Sequence, residues 1–413
     1  MLYHLFDLLK DYSFPGHNLL NFISFRAIMA NMTALLIWLF FGKKFIKWLE
    51  RHRIYDGGRN PEATQIGERH YWKETEEEKA RNIEKKKTPT MGGIFIIMSI
   101  MISALLFCDL TNIYNILLIV TLLWMGALGF ADEYIKVFKN NKNGLSEKQK
   151  LIGQFTLALG IALTVCLSPA IDTHKLITTL PFMKANEFDY SILSPFSGQL
   201  GVYFTWGLYL TMIIIVIVAC SNSVNLTDGV DGLAAGTTAI VGVVLGAFAW
   251  VGSNIIYSEY LSISYLPGAG EIVVFISAMV GALVGFLWFN TSKAEVFMGD
   301  VGSLAIGGVI GVAAVLTRKE LLLPLLCGIL FCESLSVIIQ RSFFKATKKK
   351  YGAGRRVFTN TPLHHHFQKG GNPSVFIKDI SKKKVIDDPK LVTRFWIVQL
   401  ILAVLTLALL KIR

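Results

Sequence analysis

Ten stretches of the chain run apolar for long enough, or nearly so, to cross a bilayer: about 20–42, 92–109, 113–131, 151–168, 202–221, 233–252, 271–290, 302–317, 321–340 and 394–410. Roughly 20 apolar residues of helix span a hydrocarbon core. Such runs are expected to be helical because a helix satisfies every backbone N–H and C=O within the segment, where lipid offers no partner. The pattern predicts an all-α polytopic membrane protein with ten transmembrane helices, built as a single integral-membrane domain over residues 1–413. The first 19 residues carry Asp7, Lys10, Asp11 and Pro15 and have no unbroken apolar core. They read as an amphipathic surface helix and not as a cleavable signal.

Charge orders the connecting segments. Of the 41 Lys and Arg, segments 43–91, 132–150 and 341–393 hold 13, 5 and 13, whereas 1–19, 110–112, 169–201, 253–270, 318–320 and 411–413 together hold seven. Positive loops stay cytoplasmic, so both termini are expected on the outer side and the basic loops inside. The net charge of +12 is then explained by topology and anionic headgroups, and no nucleic-acid partner is needed. An apolar share of 53% against 17% charged, with a mean hydropathy of +0.50, excludes a soluble enzyme on a single anchor. The five cysteines fall in or at the ends of apolar runs without metal-ligand spacing; they read as small buried hydrophobes with no disulfide framework.

Five polar clusters stand out, all at span ends on the inner face. They are Lys85-Lys86-Lys87-Thr88-Pro89-Thr90-Met91-Gly92-Gly93; Asp132-Glu133 with Lys136; Asn222 to Gly232, which contains Asn225, Asp228 and Asp231; Asn290 with Phe297-Met298-Gly299-Asp300-Val301-Gly302-Ser303; and Thr361-Pro362-Leu363-His364-His365-His366. The carboxylates supply hard oxygens and no Cys/His zinc pattern accompanies them, which suits Mg²⁺. Lys85 to Lys87, Lys136, Lys148, Lys150, Arg355, Arg356 and the histidines suit phosphate oxygens. Carboxylates, a divalent ion and cationic donors together make the equipment of phosphoryl transfer. A soluble phosphate donor and a membrane-dissolved acceptor would both reach this face. No P-loop or dinucleotide fingerprint is present.

Singly, each cluster has a plainer explanation. Asp132-Glu133 could be a solvated helix end, the glycines could mark turns or close helix packing, and a histidine run could be a metal tract. Their joint occurrence on one face favours a shared site. Glu333, inside the ninth run, is expected to be structural, held by Arg26 or a backbone donor. A transporter would concentrate its polar residues near the midplane and show internal repeats; neither is visible.

The motifs Pro89-Thr90-Met91-Gly92-Gly93, Asn225 to Ala234, Phe297 to Ser303 and Pro362 to His366 resemble those of the phospho-N-acetylmuramoyl-pentapeptide transferase family, part of the polyprenyl-phosphate N-acetylhexosamine-1-phosphate transferase superfamily. The resemblance runs from the first span to the last. It implies transfer of phospho-MurNAc-pentapeptide from UDP-MurNAc-pentapeptide to undecaprenyl phosphate, giving lipid I and UMP with Mg²⁺, in the bacterial cytoplasmic (inner) membrane with the active site facing the cytoplasm. It alone implies a homodimer. Carried over by motif, Asp300 is the Mg²⁺ ligand and Asp132 deprotonates or orients the lipid phosphate. His364, His365 and His366 hold the diphosphate, and Lys85, Thr90 and Lys148 contact substrate. Asn225, Asp228, Asp231, Asn290 and Phe297 form the nucleoside pocket, the Phe ring stacking on uracil. Glu133 stands where the family usually has a second aspartate, which puts its role as base or metal ligand in question. Lys136 favours this branch over relatives that use UDP-GlcNAc. Direct attack of the lipid phosphate and a covalent intermediate on Asp132 both remain open.

Overall fold

Each of the ten apolar runs is occupied by helix in the computed structural model, which describes residues 2–3, 18–55, 87–139, 141, 143–168, 171, 176–181, 187–368 and 386–411. In chain order the helices are α1 (Ile23–Arg51), α2 (Gly92–Phe107), α3 (Ile113–Phe138), α4 (Glu147–Leu167), α5 (Gly198–Thr227), α6 (Leu233–Gly252), α7 (Ile255–Leu261), α8 (Gly270–Asn290), α9 (Gly299–Leu316), α10 (Leu323–Leu326), α11 (Gly328–Tyr351), α12 (Leu363–Gln368) and α13 (Asp388–Leu409). Among the described residues, eight are long and apolar enough to cross a membrane: α1, α3, α4, α5, α6, α8, α9 and α13. Helix α2 is shorter, with 16 residues.

Helix α9 is the axis of the bundle. Every residue from Val301 to Leu316 is buried, chiefly against α3 and α5, while α8 packs between α1 and α6. Helix association in lipid lacks the hydrophobic drive of water and depends on close backbone approach. Gly307 permits it: a Cβ there would stand 2.6 Å from the Cys220 carbonyl oxygen on α5. The outer faces keep large apolar side chains exposed, such as Ile401, Val404 and Leu405 on α13, as a lipid-facing surface requires.

The structure departs from the sequence reading in five places. The ninth run is not one straight span: Glu320–Leu326 and Gly328–Tyr351 meet at a bend of 83°, where fully buried Gln399 donates to the Leu326 carbonyl at 2.6 Å. A side-chain donor of this kind makes a helix break tolerable inside a membrane protein. Helix α3 continues beyond residue 131 to Phe138, so Asp132, Glu133 and Lys136 are helical residues with fixed mutual positions. The outward segment 169–201 contains a two-stranded antiparallel sheet, β1 (Ile177–Thr179) with β2 (Glu187–Asp189), in register Thr178 opposite Phe188. Arg26 does not reach Glu333; its guanidinium forks onto Glu271, with Nη1 at 2.9 Å from Oε2 and Nη2 at 2.5 Å from Oε1. All five cysteines are free thiols, and Cys332 is exposed while the other four are buried. The surface helix expected over residues 1–19 falls almost wholly outside the described residues.

Candidate active site

Two carboxylates and two ammonium groups meet where α3, α4 and α9 converge. Asp132 and Lys136 lie one turn apart on α3, on one face; Lys150 stands in the first turns of α4 and Asp300 in the first turn of α9. Lys136 Nζ is 2.5 Å from Asp132 Oδ2 and 3.2 Å from Asp300 Oδ2, and Lys150 Nζ is 2.9 Å and 2.6 Å from the same two oxygens. Asp132 is fully buried, and its other oxygen accepts the Leu145 backbone N–H at 2.7 Å. Each lysine thus bridges both aspartates, which holds two like charges side by side.

The start of α9 is fixed from three directions. Glu133 accepts the Asp300 backbone N–H at 2.5 Å, and Asp228 accepts the Gly299 N–H at 3.1 Å. Both carboxylates thereby complement the positive end of the helix. Gly299 has φ +71°, a conformation that glycine adopts at no steric cost. Asn225 Nδ2 donates to Asp300 Oδ1 at 2.8 Å and to Ser303 Oγ at 2.9 Å, orienting the aspartate side chain. The Pro-Thr-Met-Gly-Gly segment is pinned alongside: Phe297 N–H donates to the Pro89 carbonyl and Gly92 N–H to the Phe297 carbonyl, each at 2.8 Å. A Cβ on Gly93 would lie 2.1 Å from the Gly302 nitrogen, so only glycine allows α2 and α9 to start this close together.

Around this core lies a cavity of about 240 Å³ lined by Thr90, Glu133, Lys136, Asn225, Asp228, Gly229, Asp231, Asn290, Phe297 and Asp300 among others. Four of the five polar clusters therefore contribute to one surface, and the Thr361 to His366 cluster is not part of its lining. Several lining groups also build the wall. Asn290 accepts the Gly232 N–H at 2.9 Å and donates to the Val296 carbonyl at 2.7 Å, and Asp231 accepts the Ala294 N–H at 3.2 Å.

The histidine triplet does not converge on one point. His364 is fully buried, and its backbone N–H and Nδ1 both meet the Glu333 carboxylate, at 3.1 Å for the closest oxygen in each case. Its Nε2 faces Gly229 of the aspartate-rich loop, where a Cβ would come within 2.5 Å of it. His365 Nδ1 meets Gln368 Oε1 at 2.7 Å. His366 Nδ1 accepts the Thr359 N–H at 3.2 Å, which requires that nitrogen to be unprotonated; burial lowers the pKa of this ring below its ordinary value, in the same sense. Lys148 is exposed on α4, and the lysine that reaches the aspartates is Lys150, two residues on. Lys85 lies outside the described residues.

Sequence reasoning named Lys136 and Lys150 only as phosphate-seeking cations and left their bridging role unseen. The signal for Lys136 was its spacing from Asp132, four residues on, which needs the helix to run past the apolar stretch. Ser303, whose motif alone suggests no role, accepts from Asn225 Nδ2. Glu333 has the backbone donor expected of a structural carboxylate, the His364 N–H, and meets the ring of that histidine as well.

The donor set suits Mg²⁺. Asp132 and Asp300 turn hard carboxylate oxygens toward the same ammonium groups, so this is a place where cations are held. Among the described residues no three His, Cys, Asp or Glu gather into a ready-made cage, and Mg²⁺ is commonly held by one or two carboxylates with phosphates completing its shell.

Fold and site together define a polytopic membrane protein with a carboxylate–lysine centre at one end of its bundle, and residues 115–318 match the glycosyl transferase family 4 model. Residues 85–97 match signature 1 of phospho-N-acetylmuramoyl-pentapeptide-transferase. Proteins of that name from Parabacteroides distasonis and Azobacteroides pseudotrichonymphae are each 44% identical to this chain, and one from Porphyromonas gingivalis 43%, every alignment covering 100% of both chains. The chain belongs to the phospho-N-acetylmuramoyl-pentapeptide-transferase family.

Proposed function

We propose that this protein transfers phospho-MurNAc-pentapeptide from UDP-MurNAc-pentapeptide to undecaprenyl phosphate, forming lipid I and UMP with Mg²⁺, at the cytoplasmic face of the bacterial inner membrane. The observation that carries the reading is the bridging of Asp132 and Asp300 by Lys136 and Lys150 beside a cavity, in a chain of this family. Mg²⁺, held by Asp300 and Asp132, would supply charge neutralisation for the phosphates. The remaining work falls to the protein's own groups.

Phosphoryl transfer is catalysed mainly by positioning and charge neutralisation. An oxygen of the lipid phosphate forms a bond to the β-phosphorus while the bond to the oxygen bridging to the α-phosphorus breaks, and UMP leaves with that oxygen. Lys136 lines the cavity and is placed to meet negative charge spreading over the transferred group. Lys150 and Asp132 hold Lys136 and Asp300 in register. Asn225 fixes the Asp300 rotamer and Glu133 fixes the helix start beneath it. Phe297, half-buried in the lining, offers a ring face to the uracil. Asp132, closed off from solvent and engaged on both oxygens, is placed better to hold cations than to attack phosphorus, which favours direct displacement over a covalent intermediate. The basic segments around the site support a position at the cytoplasmic leaflet.

Purified protein in detergent, given undecaprenyl phosphate and Mg²⁺, is expected to release UMP from UDP-MurNAc-pentapeptide and not from UDP-GlcNAc. Release from UDP-GlcNAc instead would assign a sister transferase, and release from neither would end the proposal.

A further inference from the structure

We propose that Glu333 is a positioning residue: it orients His364 so that the far nitrogen of the ring meets a phosphoryl oxygen of the nucleotide substrate. The inference rests on the transferase reading above. Glu333 lies on α11 inside the bundle, and its side chain and that of His364 are each 1% exposed. A carboxylate at such depth is costly unless partnered. All of its described partners belong to one residue: the His364 backbone N–H, at 3.1 and 3.2 Å from the two oxygens, and Nδ1 at 3.1 Å. The contacts fix both the start of α12 and the ring orientation, and they settle which nitrogen is left over.

That nitrogen, Nε2, is buried and has no hydrogen-bond partner. Buried polar atoms of this kind are rare in native proteins and call for an explanation. Nε2 faces Gly229, where any side chain would collide with it, and Gly229 itself lines the cavity that holds Asp300. Ser334, next to Glu333, donates to Ser223 Oγ at 2.7 Å, tying α11 to α5, the helix that carries Asn225. The dyad is therefore rigidly registered to the aspartate centre. In the substrate complex the ring carries both protons: Nδ1–H donates to Glu333, and Nε2–H donates to an anionic phosphoryl oxygen, a charge-assisted bond on each side. No proton changes place; the contribution is the aim of one donor. The ligand chemistry is that of a nucleoside diphosphate.

The test is a double-mutant cycle on Glu333→Gln and His364→Ala, read as UMP release against UDP-MurNAc-pentapeptide concentration, with the melting temperature of each variant in detergent. Glu333→Gln is expected to lower kcat/KM by about 10- to 100-fold, the usual cost of losing a partner that orients a site ligand. Its melting temperature should stay close to wild type, and Glu333→Asp should recover part of the loss. On the His364→Ala background the same substitution is expected to do nothing further. Additive losses would overturn the proposal, as would unchanged kcat/KM per folded molecule in a variant that melts early. Should Glu333→Gln fail to fold, Glu333→Asp on the two backgrounds separates coupled from additive losses in the same way. An inactive wild-type protein would instead overturn the transferase reading on which the dyad depends.

Discussion

The two ends of α3 each carry a buried ionic cluster, and they differ in what their oxygens have left to do. At the N-terminal end, the Glu271 carboxylate takes donors from Arg26 Nη1 and Nη2, the Asp109 backbone and the Asn115 side chain, at 2.5 to 3.1 Å. This arrangement joins α1, α3 and α8 and closes on itself. At the C-terminal end, Asp132 and Asp300 share two lysines, and Lys136 and Asp300 line a cavity. Charge in the first cluster is spent on holding helices together. In the second it borders open space, where an incoming phosphate or cation can meet it. Intramembrane charge by itself does not mark function; charge beside a cavity does. A third cluster follows the first pattern: Lys319 Nζ donates to Thr179 Oγ1 at 2.6 Å and Arg318 Nη1 to the Ile177 carbonyl at 3.0 Å, fastening the hairpin onto the bundle.

Substitutions can break this contrast. Arg26→Met leaves the buried Glu271 carboxylate without its fork and is expected to destabilise the fold by about 3 to 5 kcal/mol, measured as thermal unfolding in detergent, with KM for the nucleotide substrate unchanged in the molecules that remain folded. Lys150→Ala does the converse: Asp132 and Asp300 lose a shared counter-ion, and UMP release should fall by about 100-fold, with a smaller shift in melting temperature. Glu133→Gln keeps an acceptor for the Asp300 N–H but removes the charge facing the helix start; a loss near five-fold in kcat is expected, in line with about 1 kcal/mol for a charged group at a helix terminus. Lys148→Ala, on the exposed side of α4, should change turnover by less than about two-fold, the range of a surface substitution away from any site. A large loss there would mean that Lys148, and not Lys150 alone, serves the site.

The helical bundle was legible because apolar runs of spanning length admit one solution in lipid, and the polar clusters were legible because polar residues at span ends stand out against them. What escaped the sequence was where helices stop and which side chains touch. The apolar run that ends near residue 131 gave no reason to extend α3 to Phe138, and without that extension Asp132 and Lys136 are neighbours in a loop and not partners on a helix face. Lys148 and Lys150 are indistinguishable by composition; a rotation of two residues on α4 separates the exposed one from the bridging one. Arg26 or a backbone donor could each serve Glu333 from the sequence alone; the packing of α8 gives Arg26 to Glu271, and that of α12 brings the His364 N–H and ring to Glu333. The bend before α11 was invisible for a related reason, since the Gln399 donor at the break lies on α13, far along the chain.

The contrast between the two clusters is tested most directly by turnover per folded molecule in two variants measured side by side, Asp300→Asn at the centre and Glu271→Gln in the closed cluster. Asp300→Asn is expected to fold and melt near wild type while UMP release from UDP-MurNAc-pentapeptide drops by about 10³-fold or more, and Glu271→Gln to melt early while each folded molecule turns over normally. An active Asp300→Asn protein, or a stable Glu271→Gln protein that has lost its turnover, would contradict it.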